Sequence, residues 1–187
     1  MAEKDSKKPH KKQATPIEIG ALLMEAVCIP ASSEEPALAE LAENLGTMRG
    51  RMKTELLLLR AFAVDFALDM SLGDSPARCA IAEQYYGHWE HIGERIDAET
   101  IDSLEERLKF YTEVVNSSHV DSAGLTEQVG MAFAARCISS DVNGLEELSE
   151  ADERVELAML GCSMFVALFD ECSDLLTQIE IVLLDSQ

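Results

Sequence analysis

Proline and glycine are scarce in this sequence, with 5 prolines and 10 glycines among 187 residues. Collagen-like repeats, low-complexity chains and all-β folds with many turns need more of both, so the sequence argues against these three classes. The length is typical of one domain, and folding should bury roughly 70% of the surface that the unfolded chain exposes. Because 47% of the residues are hydrophobic, the chain can fill such a core, and disorder of the whole chain is not expected.

Long apolar runs are also missing. No stretch reaches the ~18 uncharged apolar residues that cross a membrane. No apolar run follows the N-terminal lysines, as it would in a secretory signal. The sequence therefore predicts a cytoplasmic protein without a membrane span.

The cysteines are few, odd in number and scattered. They are Cys28, Cys79, Cys137, Cys162 and Cys172. No two of them form a CxxC pair, so we expect free thiols in a reducing compartment, each serving as a small buried apolar side chain. A thiol nucleophile could be built from Cys137 with His119 and Asp121, but the local signatures of thiol enzymes are absent.

Basic residues are in short supply, with 15 lysines and arginines against 35 acidic residues and a formal net charge of −20. Nucleic-acid binding depends on clustered basic side chains that displace counterions, so nucleic acid is not expected as a partner of the folded part. The one dense basic patch is Arg49, Arg51 and Lys53, with Arg60 further along. This patch either binds an anion or neutralises nearby carboxylates. Those carboxylates are Glu40, Glu43 and Glu55.

The first fifteen residues are the exception to the acidic charge, because five lysines there outnumber Glu3 and Asp5. The lysines are Lys4, Lys7, Lys8, Lys11 and Lys12. We predict a basic, disordered tail over residues 1–15 and a helical bundle domain over residues 16–187. The second interpretation of the tail is a segment that contacts an acidic surface, such as that of a neighbouring subunit.

Every periodic segment has helical spacing, and alternating runs rich in Val, Ile and Thr are almost absent. Start and stop signals include Thr15-Pro16, Gly73 and Ser75-Pro76. The predicted helices cover about 16–29, 33–72 with possible breaks at Gly46 and Gly50, 76–95, 98–115, 123–138 and 149–184. The predicted fold class is all-α: a single-domain antiparallel helical bundle of five to seven helices with a long central or interface C-terminal helix.

Two segments carry more apolar surface than one packed face needs. Residues 55–68 are apolar around most of the helix, which is typical of a helix inside a bundle. The last helix has two apolar faces. One comprises Val155, Met159, Cys162, Val166, Phe169, Leu176 and Leu183, and the other comprises Leu157, Leu160, Met164, Leu168, Leu175 and Ile179. Two faces imply two packing partners, so we expect helix 149–184 at the bundle centre or half buried in a second chain.

The richest cluster of reactive side chains is residues 83–94, which hold the only tryptophan, two of the four histidines and two of the three tyrosines. A metal site is one interpretation, because imidazole and carboxylate ligands converge in helical-bundle metalloproteins. Its ligands would be His88, His91, Glu90 and Glu94, completed by Asp65 and Asp69 from another helix.

The metal interpretation lacks the expected motifs. Di-iron bundles use a Glu-x-x-His pair on two helices, and neither that pair nor the HExxH zinc motif occurs around His88 and His91. The alternative is that Asp65 and Asp69 lie at the bundle rim, paired with an arginine or facing water, while the glutamates form a solvated face.

The sequence gives even less support for other kinds of binding site. Phosphate-binding motifs of the GxGxxG and GxxxxGK[ST] types are absent. Trp89, Tyr85, Phe62 and Phe66 could line a ligand pocket, but aromatics at helical spacing are more often ordinary core.

The sequence therefore favours a non-enzymatic cytoplasmic protein that acts through protein–protein contacts, as a scaffold, adaptor or regulatory subunit. The partner would be another protein or a second copy, bound through the C-terminal helix. No catalytic residue or cofactor is assigned under this hypothesis. The alternative hypothesis is a metal- or cofactor-binding bundle, such as an oxidoreductase, with a transition metal at the His88/His91 cluster.

Overall fold

The computed structural model describes residues 11–29, 49–92, 98–117, 122–138 and 151–183. The elements are β1 (Lys12–Ala14), α1 (Pro16–Cys28), α2 (Arg49–Leu72), α3 (Pro76–Ile92), α4 (Ala98–Ser117), α5 (Ser122–Ile138), α6 (Ala151–Gln178) and β2 (Ile179–Ile181). The all-α prediction is confirmed, because six helices lie in these ranges and the only strands found there have three residues each.

The start of α1 follows from its first residues. The backbone N–H of Glu18 donates to the Thr15 hydroxyl at 3.3 Å, and the Thr15 N–H donates to the Glu18 carboxylate at 2.8 Å. This capping box satisfies two donors that a helix start leaves unpaired, and Pro16 supplies a backbone angle suited to the first turn. The predicted start at Thr15-Pro16 is confirmed.

The turn between α2 and α3 also forms where the sequence predicts it. Gly73 has a φ of 52°, a left-handed conformation that glycine adopts without strain, and its N–H donates to the Asp69 carbonyl at 2.8 Å. The Ser75 hydroxyl then accepts a hydrogen bond from the Arg78 N–H at 3.1 Å, which caps the start of α3.

The centre of the bundle is α2, which packs against α1, α3, α4, α5 and α6. Its buried apolar side chains surround the helix and are Met52, Leu56, Leu58, Leu59, Ala61, Phe62, Ala63, Val64, Ala67 and Leu68. This confirms that residues 55–68 lie inside the bundle. The long C-terminal helix, α6, packs mainly against α5 and α2.

Close contacts hold α6 against α5. A Cβ on Gly130 of α5 would overlap the carbonyl oxygen of Ala158, and a Cβ on Gly161 would lie 2.5 Å from Cδ1 of Phe133. The absence of side chains at these two glycines therefore lets α5 and α6 approach each other closely.

Stacked aromatic rings fill the space between α2 and α6. Ring centroids are 5.7 Å apart for Phe62 and Phe165 and 5.5 Å apart for Phe66 and Phe169. Because the pairs follow the same order along both helices, α2 and α6 run in the same direction.

The predicted end of the last helix is wrong, because α6 ends at Gln178 rather than near Leu184. Residues Ile179–Ile181 instead form β2, which pairs in parallel with β1 in the register Lys12 to Ile179 and Ala14 to Ile181. The alternation of β-branched Ile179 and Ile181 around Glu180 favours extended backbone over a further helical turn. The predicted tail is corrected at its end, since Lys12–Ala14 are β1. Residues 1–10 lie outside the described residues.

The two predicted apolar faces of α6 are buried to different degrees. On the first face Val155, Met159 and Leu183 are exposed, Leu176 is buried, and Val166 and Phe169 are half-buried against the core. The second face packs inward, with Leu157, Met164, Leu168 and Ile179 buried. The first face is therefore open to solvent at Val155 and Met159 and packs against the core further along the helix.

Candidate functional site

The two aspartates predicted as metal ligands have other partners. Asp65 of α2 accepts a hydrogen bond from the Tyr86 hydroxyl of α3 at 2.6 Å. Asp69 pairs with Arg78 at 3.3 Å. The interpretation of Asp69 as a rim residue paired with an arginine is confirmed, and both aspartates serve to join α2 to α3.

The predicted histidine ligands lie on another part of α3. At 100° per residue, His88 is about 160° around the helix from Tyr86, the residue that contacts Asp65. His88, His91 and Glu90 border a surface depression of about 750 Å³, which Tyr86 also lines. The Nδ1 atom of His91 lies 2.9 Å from the Gly87 carbonyl oxygen, to which it donates. Glu94 lies outside the described residues. Across the ranges that are described, no group of three or more His, Cys, Asp or Glu side chains is arranged to hold a metal ion.

The predicted pocket of aromatics is packed core. Phe62 stacks on Phe66 and on Tyr111, with centroids 5.8 and 5.2 Å apart. Tyr85 and Trp89 instead pack edge to face along α3, with centroids 6.4 Å apart. All of these rings except that of Phe66 are buried, so they stabilise the interior.

A second opening, not anticipated from the sequence, lies between α1 and α6. We call it the α1/α6 groove; it has a volume of about 680 Å³ and reaches Arg60 of α2 at its floor. Its apolar lining comprises Leu22, Ala26 and Ile29 of α1 with Met164, Ala167, Leu168 and Leu175 of α6. Three exposed carboxylates also line it, Glu25 from α1 and Glu171 and Asp174 from α6. The groove therefore combines an apolar lining with acidic groups on both walls.

Arg60 shapes one end of the groove. Its side chain is buried, and its guanidinium donates hydrogen bonds to the backbone carbonyls of Ala26 and Ile29 at the end of α1. The last carbonyls of a helix lack partners within the helix and carry partial negative charge, so a cation there is favourable. Arg60 thus fixes the end of α1 against α2.

The carboxylate of Glu55 has a different partner from the one predicted. Glu55 is buried and accepts hydrogen bonds from Nε and Nη2 of Arg107 on α4, at 3.0 and 2.8 Å. Arg107 and Arg136 both reach Glu106, which links α4 to α5. The prediction that the patch around Arg60 neutralises Glu55 is therefore corrected. Arginine suits this role because its planar fork matches a carboxylate.

The thiols of Cys28, Cys137 and Cys172 are not activated as nucleophiles. Burial raises the pKa of Cys172 in the groove to about 12, with a further contribution from the Glu171 charge. Burial likewise raises the pKa of Cys28 and of Cys137. A thiol with a raised pKa is protonated at neutral pH, and the thiolate is the reactive form.

The cysteine prediction is confirmed in part. All five cysteines are free, and Cys137 and Cys172 are buried as expected. Cys28 and Cys79 are exposed, so burial is wrong for these two.

The sequence missed the groove because its walls come from segments more than a hundred residues apart. Leu22 and Ile29 look like ordinary outer residues of a short helix until α6 is placed beside them. The available signal was that Leu22 and Ile29 are apolar yet lie outside the buried face of α1, on either side of Glu25.

Comparison with protein-family models, with curated proteins and with solved structures gave no match to this chain. No helix in the described ranges has both the length and the apolar character needed to cross a membrane.

Proposed function

We propose that this protein is a non-enzymatic, cytoplasmic binding protein that acts through contacts of its helices, as a scaffold, adaptor or regulatory subunit. We further propose that it self-associates through the first half of α6. The observation that carries this proposal is the solvent-facing side of that helix, where Val155 is 52% exposed and Met159 is 62% exposed.

The exposed face of α6 changes character along the helix. Val155, Met159 and Ser163 follow one another at intervals of four, which places them on one face. This uncharged stripe spans about 12 Å of helix, with the exposed side chain of Glu156 beside it. Further along the helix the exposed side chains include the carboxylates of Asp170, Glu171 and Asp174.

An uncharged stripe on a protein of net charge −20 is the surface where two copies would repel each other least. In a two-fold dimer each copy contributes the same patch, so Val155 and Met159 of both copies would be buried in the interface. Complete burial of a side chain of this kind is worth about 1.5–3 kcal/mol, which makes the patch a substantial part of a small interface.

Sedimentation velocity at increasing protein concentration tests the proposal. We expect a mass above the 20.5 kDa of one chain. Association should strengthen as salt is added from 0.05 to ~0.5 M, because screening reduces repulsion between acidic copies. The variants Val155→Glu and Met159→Glu should return the protein to a single chain.

The matched control is Met70→Glu, a residue 63% exposed at the end of α2 and away from the stripe. This variant should associate as the parent does. A protein that stays a single chain at every salt concentration, or a Met159→Glu variant that associates like the Met70→Glu control, contradicts self-association through α6.

The metal-binding alternative has less support, because Asp65 and Asp69, two of its six ligands, are engaged with Tyr86 and Arg78.

A further inference from the structure

The α1/α6 groove has dimensions that suit a helix. It extends along α6 from Met164 to Gln178, a distance of about 21 Å, or close to four helical turns. The α1 wall is shorter, since Leu22 and Ile29 are about 10 Å apart along that helix, and both side chains are exposed. On the α6 wall Leu175 is half-buried, and Met164 and Leu168 are buried. An amphipathic helix laid in such a groove buries side chains spaced three and four residues apart.

The charges on the walls restrict which helix can bind. Glu25 stands on one wall, and Glu171 and Asp174 stand one turn apart on the other. The carboxylate of Glu171 is close enough to raise the pKa of the Cys172 thiol, and both residues line the groove. The cation at the floor, Arg60, already donates to the two carbonyls at the end of α1. An occupant with lysines or arginines beside its apolar residues complements this surface, and an acidic one does not.

The chain's own segments do not have this composition. Residues 1–11 supply lysines but no large apolar side chain other than Met1. Residues 30–48 contain four glutamates and no lysine or arginine. A second copy of the chain carries the same net charge of −20. A basic amphipathic helix of a different protein complements the groove better than any of these three.

We infer that the α1/α6 groove binds a basic amphipathic helix of a partner protein, with the apolar residues of that helix on the groove lining and its lysines or arginines beside Glu25, Glu171 and Asp174. The inference rests on the proposed role as a binding protein, but it uses a different surface from the stripe around Met159.

Fluorescence anisotropy of the full-length protein with three labelled synthetic peptides tests this inference. Each peptide has about 18 residues, enough to cover the groove as a helix. The first has leucines at i, i+3, i+4 and i+7 with lysines elsewhere, the second replaces the lysines by glutamate, and the third replaces the leucines by serine. We expect the first to bind, the second not to bind and the third to bind at least tenfold more weakly.

Charge reversal on the groove wall provides the specific readout. The Glu171→Lys/Asp174→Lys variant should raise the Kd of the leucine–lysine peptide by about tenfold, which corresponds to 1.4 kcal/mol. The matched control is Asp170→Lys, an exposed carboxylate one residue away that does not line the groove, and its Kd should change by less than about twofold. Leu22→Ser, an exposed position on the other wall, should weaken binding without affecting the fold.

Three results would overturn the inference. They are no binding of the first peptide at low salt, equal Kd values for the double variant and the Asp170→Lys control, and equal binding of the serine and leucine peptides. The last result would mean that the acidic walls attract any basic segment, including one like residues 1–11.

Salt separates this inference from the proposed self-association. Peptide binding should weaken as salt is added, whereas association of copies through the α6 stripe should strengthen. Val155→Glu and Met159→Glu should leave the peptide Kd unchanged. Either proposal can therefore fail while the other stands.

Discussion

The two longest helices, α2 and α6, look alike in sequence and occupy different environments. Both are rich in apolar residues, yet α2 is covered by five helices while α6 is covered on one side. On α2 the exposed side chains are confined to its ends, and on α6 they run the length of the helix. Apolar content identifies helices that belong to a core, but the number of neighbouring helices decides how much of each one is buried.

Truncation of matched side chains on the two helices should show the largest difference. Phe62 of α2 is buried and stacks on Phe66, Tyr111 and Phe165, so Phe62→Ala should lower the free energy of unfolding by about 3–5 kcal/mol. Met159→Ala on the exposed side of α6 should change it by less than about 0.5 kcal/mol. Urea denaturation followed by circular dichroism measures both. If Met159→Ala also caused a large loss of unfolding free energy in the single chain, the two helices would be equally buried.

The packed side of α6 should be sensitive to added volume where it approaches α5 most closely. Gly130→Ala places a methyl group against the Ala158 carbonyl, and overpacking of this kind should cost about 1–3 kcal/mol. Gly87→Ala on α3 is the control, because a Cβ there meets no atom within 4 Å. Removing glycine from a helix should stabilise the protein by about 0.5–1 kcal/mol in that case. Equal effects at the two positions would contradict the close approach of α5 and α6.

The last prediction concerns whether water reaches the inner side of α6, as reported by the pH dependence of the free energy of unfolding. Cys172 has a pKa raised from an ordinary value of 9.0 to about 12, so the folded state holds its proton in a range where the unfolded chain releases it. The free energy of unfolding should therefore fall as pH rises from about 9 towards 12. Cys172→Ala should make this decline shallower, and urea denaturation across that range compares the two slopes. Identical slopes would indicate that water reaches this thiol.

Local signals were sufficient to predict the helices and several of their ends. Thr15 followed by Pro16, and Gly73 followed by Ser75 and Pro76, act on neighbouring backbone groups, so their effect can be recognised without a fold. The interior position of residues 55–68 was equally accessible, because a helix that is apolar all round has to be covered.

Features that depend on distant residues were not predictable. The change from helix to strand at Ile179 needs the edge supplied by Lys12–Ala14. The partner of Glu55 is Arg107, 52 residues away and on another helix. The α1/α6 groove exists only once Leu22 and Leu175 face each other across it. The solvent-facing side of α6 was missed for the same reason, since spacing along one helix does not reveal where its neighbours lie.

The strand β1 can pair only after β2 has been synthesised. Gln13 donates a hydrogen bond to Glu180, and these residues are separated by 167 positions. During translation the backbone groups of β1 therefore have no strand to pair with until Ile179–Ile181 have left the ribosome. The strand β1 is thus synthesised long before the strand that secures it.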